Sequence, residues 1–301
     1  ASGPARAPRL RRLLALTATC ALAFTVAACG SDDEESAGGT SGGEPYKIGI
    51  LAPTTGSVSS DGEDMVNATK LAVEEINAAG GIDGRKVETV VADDACEAQQ
   101  GVQAAQKLVQ EKVIAVVGGF CSAATLPAIE VFERSGNLPF VVSVSSNPDV
   151  TDPGRKNIVR IIGRDDQEAP AEATYLRDVL KSEKVAIVHD NTEFAVSVAK
   201  QARSLIEKQG TPEIVYYDAI KPGGNDYRAM LERVKREGAD TLFYTGFHPE
   251  FGPIARQWGS LGFDYRLLGG ASTINQNVIK LAPKAAADEK FSIVTYPTAV
   301  L

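Results

Sequence analysis

Short apolar or β-branched runs alternate along the chain with stretches in which apolar residues recur every three or four positions. The runs predict buried strands at residues 46–53, 86–94, 113–120, 138–145, 157–162, 184–190, 213–220, 240–247 and 291–297, with a shorter candidate at 266–270. The three- and four-residue spacing predicts helices at residues 68–79, 97–112, 123–135, 166–182, 193–209, 226–237 and 249–261. This alternation predicts an α/β fold of parallel sheets flanked by helices.

The length of the chain and the ends of its predicted strands suggest where a ligand would bind. At 301 residues the chain exceeds the usual size of one domain, so we expect two lobes. In open α/β sheets, ligands bind beyond the carboxyl ends of the strands. Four turns at such ends are rich in Gly, Ser or Thr and are candidate binding loops: residues 54–61, 118–124, 143–148 and 246–250.

The first residues predict an export signal. Four arginines precede an apolar run at residues 13–28, which has about the length of a signal-peptide core and is short for a membrane span. Small residues then lead into Cys29, which resembles a bacterial lipobox, so residues 1–28 are expected to be removed and Cys29 to be lipidated. An ordinary secretory signal with an incidental cysteine is the alternative. Residues 29–45 contain no large apolar side chain and predict a flexible tether.

Charge and motif content exclude two classes of function. The net charge is −8, and removal of the four N-terminal arginines leaves 27 basic against 39 acidic residues, or −12. Such a surface repels phosphate backbones, so we expect no nucleic-acid partner. The chain has two histidines, His189 and His248, and no nucleophile elbow, phosphate-binding loop, dinucleotide-binding or zinc-deaminase motif. We therefore expect a protein that is not an enzyme and that uses no cofactor and no metal ion.

Four segments resemble, in order and spacing, parts of the bacterial leucine/isoleucine/valine-binding proteins, the solute-binding components of branched-chain amino-acid ABC importers. They are DGRKVETVVADDAC, VVGGFCSAATLPA, KVAIVHDNTEF and YTGFHPEFGPIARQ. The resemblance runs from about Tyr46 to Tyr296. It implies a two-lobed type I periplasmic-binding-protein fold, with the N-terminal lobe at residues 46–163 and the C-terminal lobe at 164–295. Residues 296–301 would begin the return to the N-terminal lobe, which we expect to be incomplete because the chain is truncated.

The resemblance assigns the ligand carboxylate to the turn at residues 118–124, which includes Phe120, Cys121 and Ser122. An independent physical reason agrees, because a helix N-terminus offers unpaired N–H groups and partial positive charge to an anion. Gly118 and Gly119 would let the backbone approach the ligand, while Ser122 adds a hydroxyl group. The alternative is an ordinary turn in which Ser122 only caps its own helix.

A second set of contacts is implied at the cleft edge. There Val144, Ser145 and Ser146 match family positions that offer a backbone carbonyl, a backbone N–H and a hydroxyl group to the ligand. The carbonyl suits an ammonium, whereas the other two suit a carboxylate. Ser146 could instead cap the turn before Pro148.

The sequence departs from the family where leucine-specific members hold the ligand's amino group. They have two tyrosines and an acidic residue at positions that match Phe194, Phe247 and Ala271 here. Loss of one partner of a desolvated charge costs about 3 to 5 kcal/mol. Either Asp61 supplies a replacement charge, or the ligand has a carboxylate but no α-ammonium. In the second case Phe120, Phe194 and Phe247 would line a cleft for an aliphatic or aromatic acid.

The remaining expectations concern crosslinking, partners and location. Cys96 and Cys121 match a disulfide of the family, and an exported chain meets an oxidising environment; two buried free thiols are the alternative. We expect a monomeric lipoprotein on the outer face of the bacterial cytoplasmic membrane, or in the periplasm, that delivers a small solute to ABC permease subunits. The alternative function is the ligand-sensing ectodomain of a receptor with the same fold.

Overall fold

The computed structural model describes residues 43–288 and 291–295, and these residues contain two separate parallel sheets. The first sheet has the order β2-β1-β3-β4-β5 and consists of β1 (Tyr46–Ala52), β2 (Val87–Asp93), β3 (Ala115–Gly118), β4 (Phe140–Val142) and β5 (Ile158–Arg160). Every neighbouring pair in it is parallel. The carboxyl ends of these strands therefore lie at one edge of the sheet.

The second sheet has the order β10-β9-β8-β6-β7 and is parallel throughout. Its strands are β6 (Lys184–His189), β7 (Glu213–Ala219), β8 (Thr241–Tyr244), β9 (Arg266–Gly269) and β10 (Phe291–Ile293). The register between β6 and β7 shifts once, between Val185 and Ala186.

Helices connect successive strands, as parallel pairing requires. Those between strands of the first sheet are α1 (Ser59–Ala78), α2 (Ala98–Gln110) and α3 (Ser122–Arg134). The others are α4 (Asp165–Thr174), α5 (Glu193–Gln209), α6 (Arg228–Arg236), α7 (His248–Ser260), α8 (Gln276–Leu281) and α9 (Pro283–Ala287). α4 continues as a π-helical turn over Tyr175–Val179, and 3₁₀ turns occur at Pro148–Val150 and Ala271–Thr273.

The short apolar runs become strands because helices cover both faces of each sheet. In β8, Leu242 belongs to the apolar cluster on one face of the second sheet, together with Phe251 and Trp258. The adjacent Phe243 belongs to the cluster on the opposite face, together with Val198. All of these side chains are buried, so alternate residues of one strand fill two different cores. This arrangement produces a continuous apolar run in the sequence instead of an alternating one.

The predicted α/β architecture is confirmed, with differences at the level of single elements. Most strands end earlier than their apolar runs, because the last residues of each run leave the sheet and enter the turns. The predicted helix at 166–182 is α4 followed by its π-helical turn. α8 and α9 were not predicted, although Asn275 gives a local signal for α8: its side chain accepts a hydrogen bond from the Asn277 backbone.

Several of the predicted segments lie near the two ends of the chain. The signal segment at 1–28, Cys29, most of the tether and residues 296–301 lie outside the described residues. The proposed boundary between lobes, after residue 163, falls between β5 and α4 and stays a prediction. Among the helices of the described residues, none is long and apolar enough to cross a membrane.

The predicted disulfide is present and is located beside the third strand. Cys96 and Cys121 are bonded, and their Cα atoms lie 5.2 Å apart. Cys96 follows β2 and Cys121 precedes α3. The bond therefore links the turn between β3 and α3 to the turn that follows β2 in the same sheet.

Candidate functional site

A cavity of about 210 Å³ lies where the strand ends of the two sheets meet. From the side of the first sheet it is lined by Asp61, Phe120, Ser122, Val144, Ser146 and Ile162. From the side of the second sheet it is lined by Glu168, Phe194, Phe247, Ala271, Ser272, Ile274 and Thr295. Each of the four candidate binding loops contributes to this wall. The four loops that the sequence predicted from the strand-end rule therefore meet at one cavity in the structure.

The turn between β3 and α3 needs its two glycines. Gly118 and Gly119 have φ angles of 120° and 76°, a region that side-chain-bearing residues rarely adopt. A Cβ atom at Gly118 would clash with the carbonyl oxygen of Leu51, and one at Gly119 would lie 2.9 Å from Cζ of Phe140. The small residues at this turn thus allow α3 to begin directly at the cavity wall.

The first turn of α3 presents donors to the cavity. The backbone N–H groups of Ala124 and Thr125 donate to the carbonyl oxygen of Cys121, at 3.0 and 2.9 Å. Within residues 43–288 and 291–295, the backbone N–H groups of Ser122 and Ala123 have no backbone acceptor. These groups, with the positive end of the helix dipole, are suited to a carboxylate oxygen.

The side chain of Ser122 does not cap its helix. Its Oγ atom shares a hydrogen bond of 2.8 Å with Oγ of Ser145, and both residues are buried. Ser145 does not line the cavity. Its hydroxyl group therefore holds the Ser122 side chain from the side that faces away from the cavity wall. Cys121, held in its disulfide, also lies next to the cavity and not on its wall.

The loop after β4 contributes Val144 and Ser146 to the wall. The Val144 backbone N–H donates to the carbonyl oxygen of Gly119 at 3.3 Å, so the two predicted binding turns are joined directly. The turn before Pro148 is capped by Asn147, whose side chain accepts from the Asp149 backbone at 2.8 Å. The capping role that was an alternative for Ser146 therefore belongs to Asn147.

Three phenylalanines form an aromatic wall across the cavity. The ring centroids of Phe120 and Phe247 are 6.1 Å apart, and those of Phe194 and Phe247 are 5.4 Å apart. Phe120 follows a strand of the first sheet, whereas the other two follow strands of the second. The backbone N–H of Phe247 is held by Oδ2 of Asp190 at 3.0 Å. This wall is suited to an apolar side chain on a ligand.

Asp61 reaches the cavity but already has protein partners. Its Oδ2 atom lies 2.8 Å from Nε2 of His248, and its Oδ1 atom accepts from Nδ2 of Asn275 at 3.3 Å. Although burial opposes ionisation, hydrogen bonds from His248 and Asn275 and attraction to His248 hold the pKa of the Asp61 carboxyl below its ordinary value. These contacts join α1 to α7 and to the segment before α8.

Glu168 on α4 is a wall residue that the sequence analysis missed. It is 4% exposed, and its Oε1 atom accepts a hydrogen bond from the Ala271 backbone at 2.8 Å. A signal existed in the sequence: Glu168 and Glu172 lie on the helical stripe that also contains Ala169, Ala173 and Leu176. Acidic residues on the apolar stripe of a helix are costly to bury, which is a pointer to function.

The two glutamates of α4 converge on the backbone at Gly270. A Cβ atom there would lie 2.6 Å from Oε1 of Glu172 and 3.0 Å from Oε1 of Glu168. Burial and the charge of Glu168 raise the pKa of Glu172 well above its ordinary value. Burial and mutual repulsion therefore oppose the simultaneous ionisation of these two neighbouring carboxyl groups.

Two parallel sheets with a small cavity between their strand ends define a two-lobed binding protein. Residues 45–300 match the family described as periplasmic binding protein, and the chain belongs to this family. The sequence-based resemblance to the leucine/isoleucine/valine-binding proteins, and the type I fold that it implied, are confirmed.

Individual relatives agree with this assignment. The chain is 38% identical over 236 residues to an amino acid binding protein of Pseudomonas aeruginosa, covering 78% of this chain and 63% of the relative. It is 37% identical over 245 residues to the Leu/Ile/Val-binding protein BraC3 of Rhizobium johnstonii, covering 81% and 66%. The chain thus spans less than two thirds of the length of these relatives.

A solved structure shows the same architecture. It is that of LivJ, the branched-chain amino acid transporter substrate binding protein of Streptococcus pneumoniae, in complex with isoleucine. The two structures superpose with a TM-score of 0.75 at 29% identity, covering 85% of this chain and 72% of LivJ.

The contact between Asp61 and His248 predicts an acid-dependent contribution to stability. Because the pKa of Asp61 is lower in the folded state, this contribution is present above the unfolded value of about 3.8 and is lost as the pH falls through the folded value. We expect Asp61→Asn to lower the free energy of unfolding by about 1 kcal/mol at pH 6 and by less at pH 3. Urea denaturation of both proteins at each pH measures the difference, and an equal difference at both pH values would contradict this origin.

Proposed function

We propose that the chain is the substrate-binding component of an ABC importer, and that it captures a branched-chain or related amino acid, or a small carboxylate, between two closing lobes. The observation that supports this proposal most directly is the cavity formed by strand ends of both sheets, with the N-terminus of α3 at one side and three phenylalanines across it. The names of the relatives, which include amino acid binding and Leu/Ile/Val-binding proteins, agree with it.

Binding energy and closure are linked in this proposal. A solute that touches Ser122 and Phe247 at the same time contacts elements of both sheets. Such a ligand binds the closed arrangement more tightly than the open one, so it shifts the population toward closure. The proposed lobes are residues 46–163 and 164–295, and the chain between β5 and α4 would be one of the hinges.

Two other functions have less support. The structure offers no observation that favours a receptor ectodomain, and the relatives reported above are named as binding proteins. An enzyme is also disfavoured, since members of this family bind solutes. We propose that the chain performs no chemistry on its ligand and uses no cofactor.

The partners and the location follow from the same proposal. The chain would be exported, would act as a monomer and would deliver its solute to ABC permease subunits. Lipid on Cys29 would keep it at the outer face of the cytoplasmic membrane, with residues 29–45 as the tether. Stable anchoring needs more than one acyl chain, because a single chain binds membranes only marginally.

A solute panel tests the proposed function. We expect branched-chain or aromatic amino acids, or acids of similar size, to raise the melting temperature of the mature protein, because a ligand that binds only the folded state stabilises it. The stabilisation is about 2.7 kcal/mol at a concentration of one hundred times Kd. Differential scanning calorimetry measures this shift. Stabilisation by sugars or peptides, with none by these compounds, would refute the proposal.

Ser122→Ala tests the position of the carboxylate. The hydroxyl group of Ser122 lies at the end of α3 on the cavity wall, so its removal should weaken binding of a carboxylate ligand by about 1 to 3 kcal/mol. Ser135→Ala, at the other end of the same helix, is the matched control and should leave Kd unchanged. Isothermal titration calorimetry compares the three proteins. An unchanged Kd in Ser122→Ala would move the carboxylate elsewhere.

Cys29→Ser tests the lipid anchor. When the chain is expressed in a bacterium with an added initiator methionine, we expect the unaltered protein in the membrane fraction and Cys29→Ser in the soluble exported fraction. Cys20→Ser is the matched control, because Cys20 lies within the segment that is expected to be removed. Immunoblots of the two fractions give the result, and the same distribution for all three proteins would exclude lipidation at Cys29.

A further inference from the structure

We propose that Asp61, His248 and Asn275 form a latch that holds the two lobes closed over the solute and sets how fast the solute leaves. This inference rests on the proposed function and deepens it, because it names the contact that keeps the cavity shut. It also gives Asp61 a role other than the one considered from the sequence, in which its charge would bind the amino group of the solute.

The first support is the position of Asp61 between two spaces. Asp61 and Ile274 line the cavity of about 210 Å³, and they also line a groove of about 1070 Å³. They are the two described residues that line both spaces. Asp61 belongs to α1, which follows the first strand of the first sheet, whereas Ile274 lies between β9 of the second sheet and α8. One residue from each proposed lobe therefore stands where the cavity meets the groove.

The second support is the hydrogen bonding of Asp61. A carboxylate accepts hydrogen bonds and does not donate them, so Nε2 of His248 carries the hydrogen that reaches Oδ2 of Asp61 at 2.8 Å. The Oδ1 atom of Asp61 accepts from Nδ2 of Asn275 at 3.3 Å. The Asn275 amide is oriented for this bond, because its own Oδ1 accepts from the Asn277 backbone at the start of α8. Both carboxylate oxygens of Asp61 thus have donors from elements of the second sheet.

The third support is that each side of the latch is fixed to its own sheet. A Cβ atom at Gly62 would clash with the carbonyl oxygen of Pro53, so the start of α1 packs directly on the backbone that leaves β1. His248 is buried and begins α7, and the backbone N–H of the preceding Phe247 is held by Asp190 at the end of β6. When the lobes separate, the two sides of the latch would therefore move apart with their sheets.

The latch has a kinetic consequence. A solute enters the open arrangement, in which the latch is not formed, and the latch forms on closure. Its loss should therefore speed release of the solute and leave the association rate unchanged. Because the latch does not bind the solute, release should become faster by the same factor for every solute that the cavity encloses. Loss of a direct solute contact would instead change the discrimination between solutes.

The test measures solute release from the mature protein, from Asp61→Asn and from the matched control Asp64→Asn. Asp64 lies on the same helix and lines the groove but not the cavity, and its substitution makes the same change of charge. The probes are leucine, isoleucine, valine and phenylalanine, each beside the carboxylic acid with the same carbon skeleton and no amino group. A chase of radiolabelled probe with excess unlabelled probe gives the dissociation rate, and isothermal titration calorimetry gives Kd.

We expect Asp61→Asn to release every probe that binds about tenfold faster, because an amide cannot accept hydrogen bonds from both donors as the carboxylate does. The association rate, which is the dissociation rate divided by Kd, should stay the same. Asp64→Asn should behave like the unaltered protein.

A double variant assigns the effect to the contact itself. We expect His248→Asn, whose shorter side chain does not reach Asp61, to speed release by a similar factor. Because both substitutions break the same contact, the double variant Asp61→Asn with His248→Asn should release the probe no faster than either single variant. Effects that multiply in the double variant would show that the two residues act separately, and would overturn the latch.

The outcomes separate this inference from the proposed function. Unchanged release from Asp61→Asn would overturn the latch and leave the importer proposal intact. Faster release of the amino acids alone would make Asp61 a contact of the amino group, which also overturns the latch. If none of the probes binds the unaltered protein, the proposed function and the latch are both refuted.

Discussion

The close approach of two backbones at the end of β3 is the constraint on which the rest of the cavity depends. Gly118 lies so near the carbonyl of Leu51 that even a methyl group would clash there. Because the chain can turn in this space, α3 begins at Ser122, and its first N–H groups lie at the cavity wall. The hydrogen bond between Ser122 and Ser145 and the disulfide at Cys121 then hold this helix end in place. The position of the N-terminus of α3, with its partial positive charge, is thus set by packing around the first sheet.

The cavity combines opposite electrostatic ends with an apolar wall. A helix N-terminus belongs to the first sheet, Glu168 belongs to the elements of the second, and the phenylalanines join the two sides. In a small, largely buried space, water screens electrostatic interactions poorly, so polar groups on this wall would interact strongly with any ligand of the proposed kind. This arrangement lowers the stability of the fold at α4, because buried acidic residues occupy positions at which apolar side chains would be more favourable.

Local patterns predicted much of this arrangement. Apolar runs located all ten described strands, and helical spacing located α2 to α7 and the C-terminal half of α1, which begins at Ser59 and not at residue 68, because both signals depend only on which faces a segment buries. The turns at strand ends located the cavity, because ligands in open α/β sheets bind beyond the carboxyl ends of the strands. Glu168 was missed because its place on the cavity wall arises from tertiary packing: its carboxylate meets the backbone of Ala271, which is 103 residues away in the chain. The partners of Asp61 are also distant in sequence, so no local pattern could have identified them.

The convergence of Glu168 and Glu172 on Gly270 has an evolutionary consequence. Gly270 makes no contribution to the cavity wall, yet any larger residue there would push both carboxylates away. Glu168 and its backbone partner at Ala271 are 103 residues apart in the chain, but substitutions at 168 and 270 are not independent. A lineage that acquired a side chain at 270 would have to move the carboxyl ends of both glutamates. Positions 168 and 270 would then change as a linked pair and not one at a time.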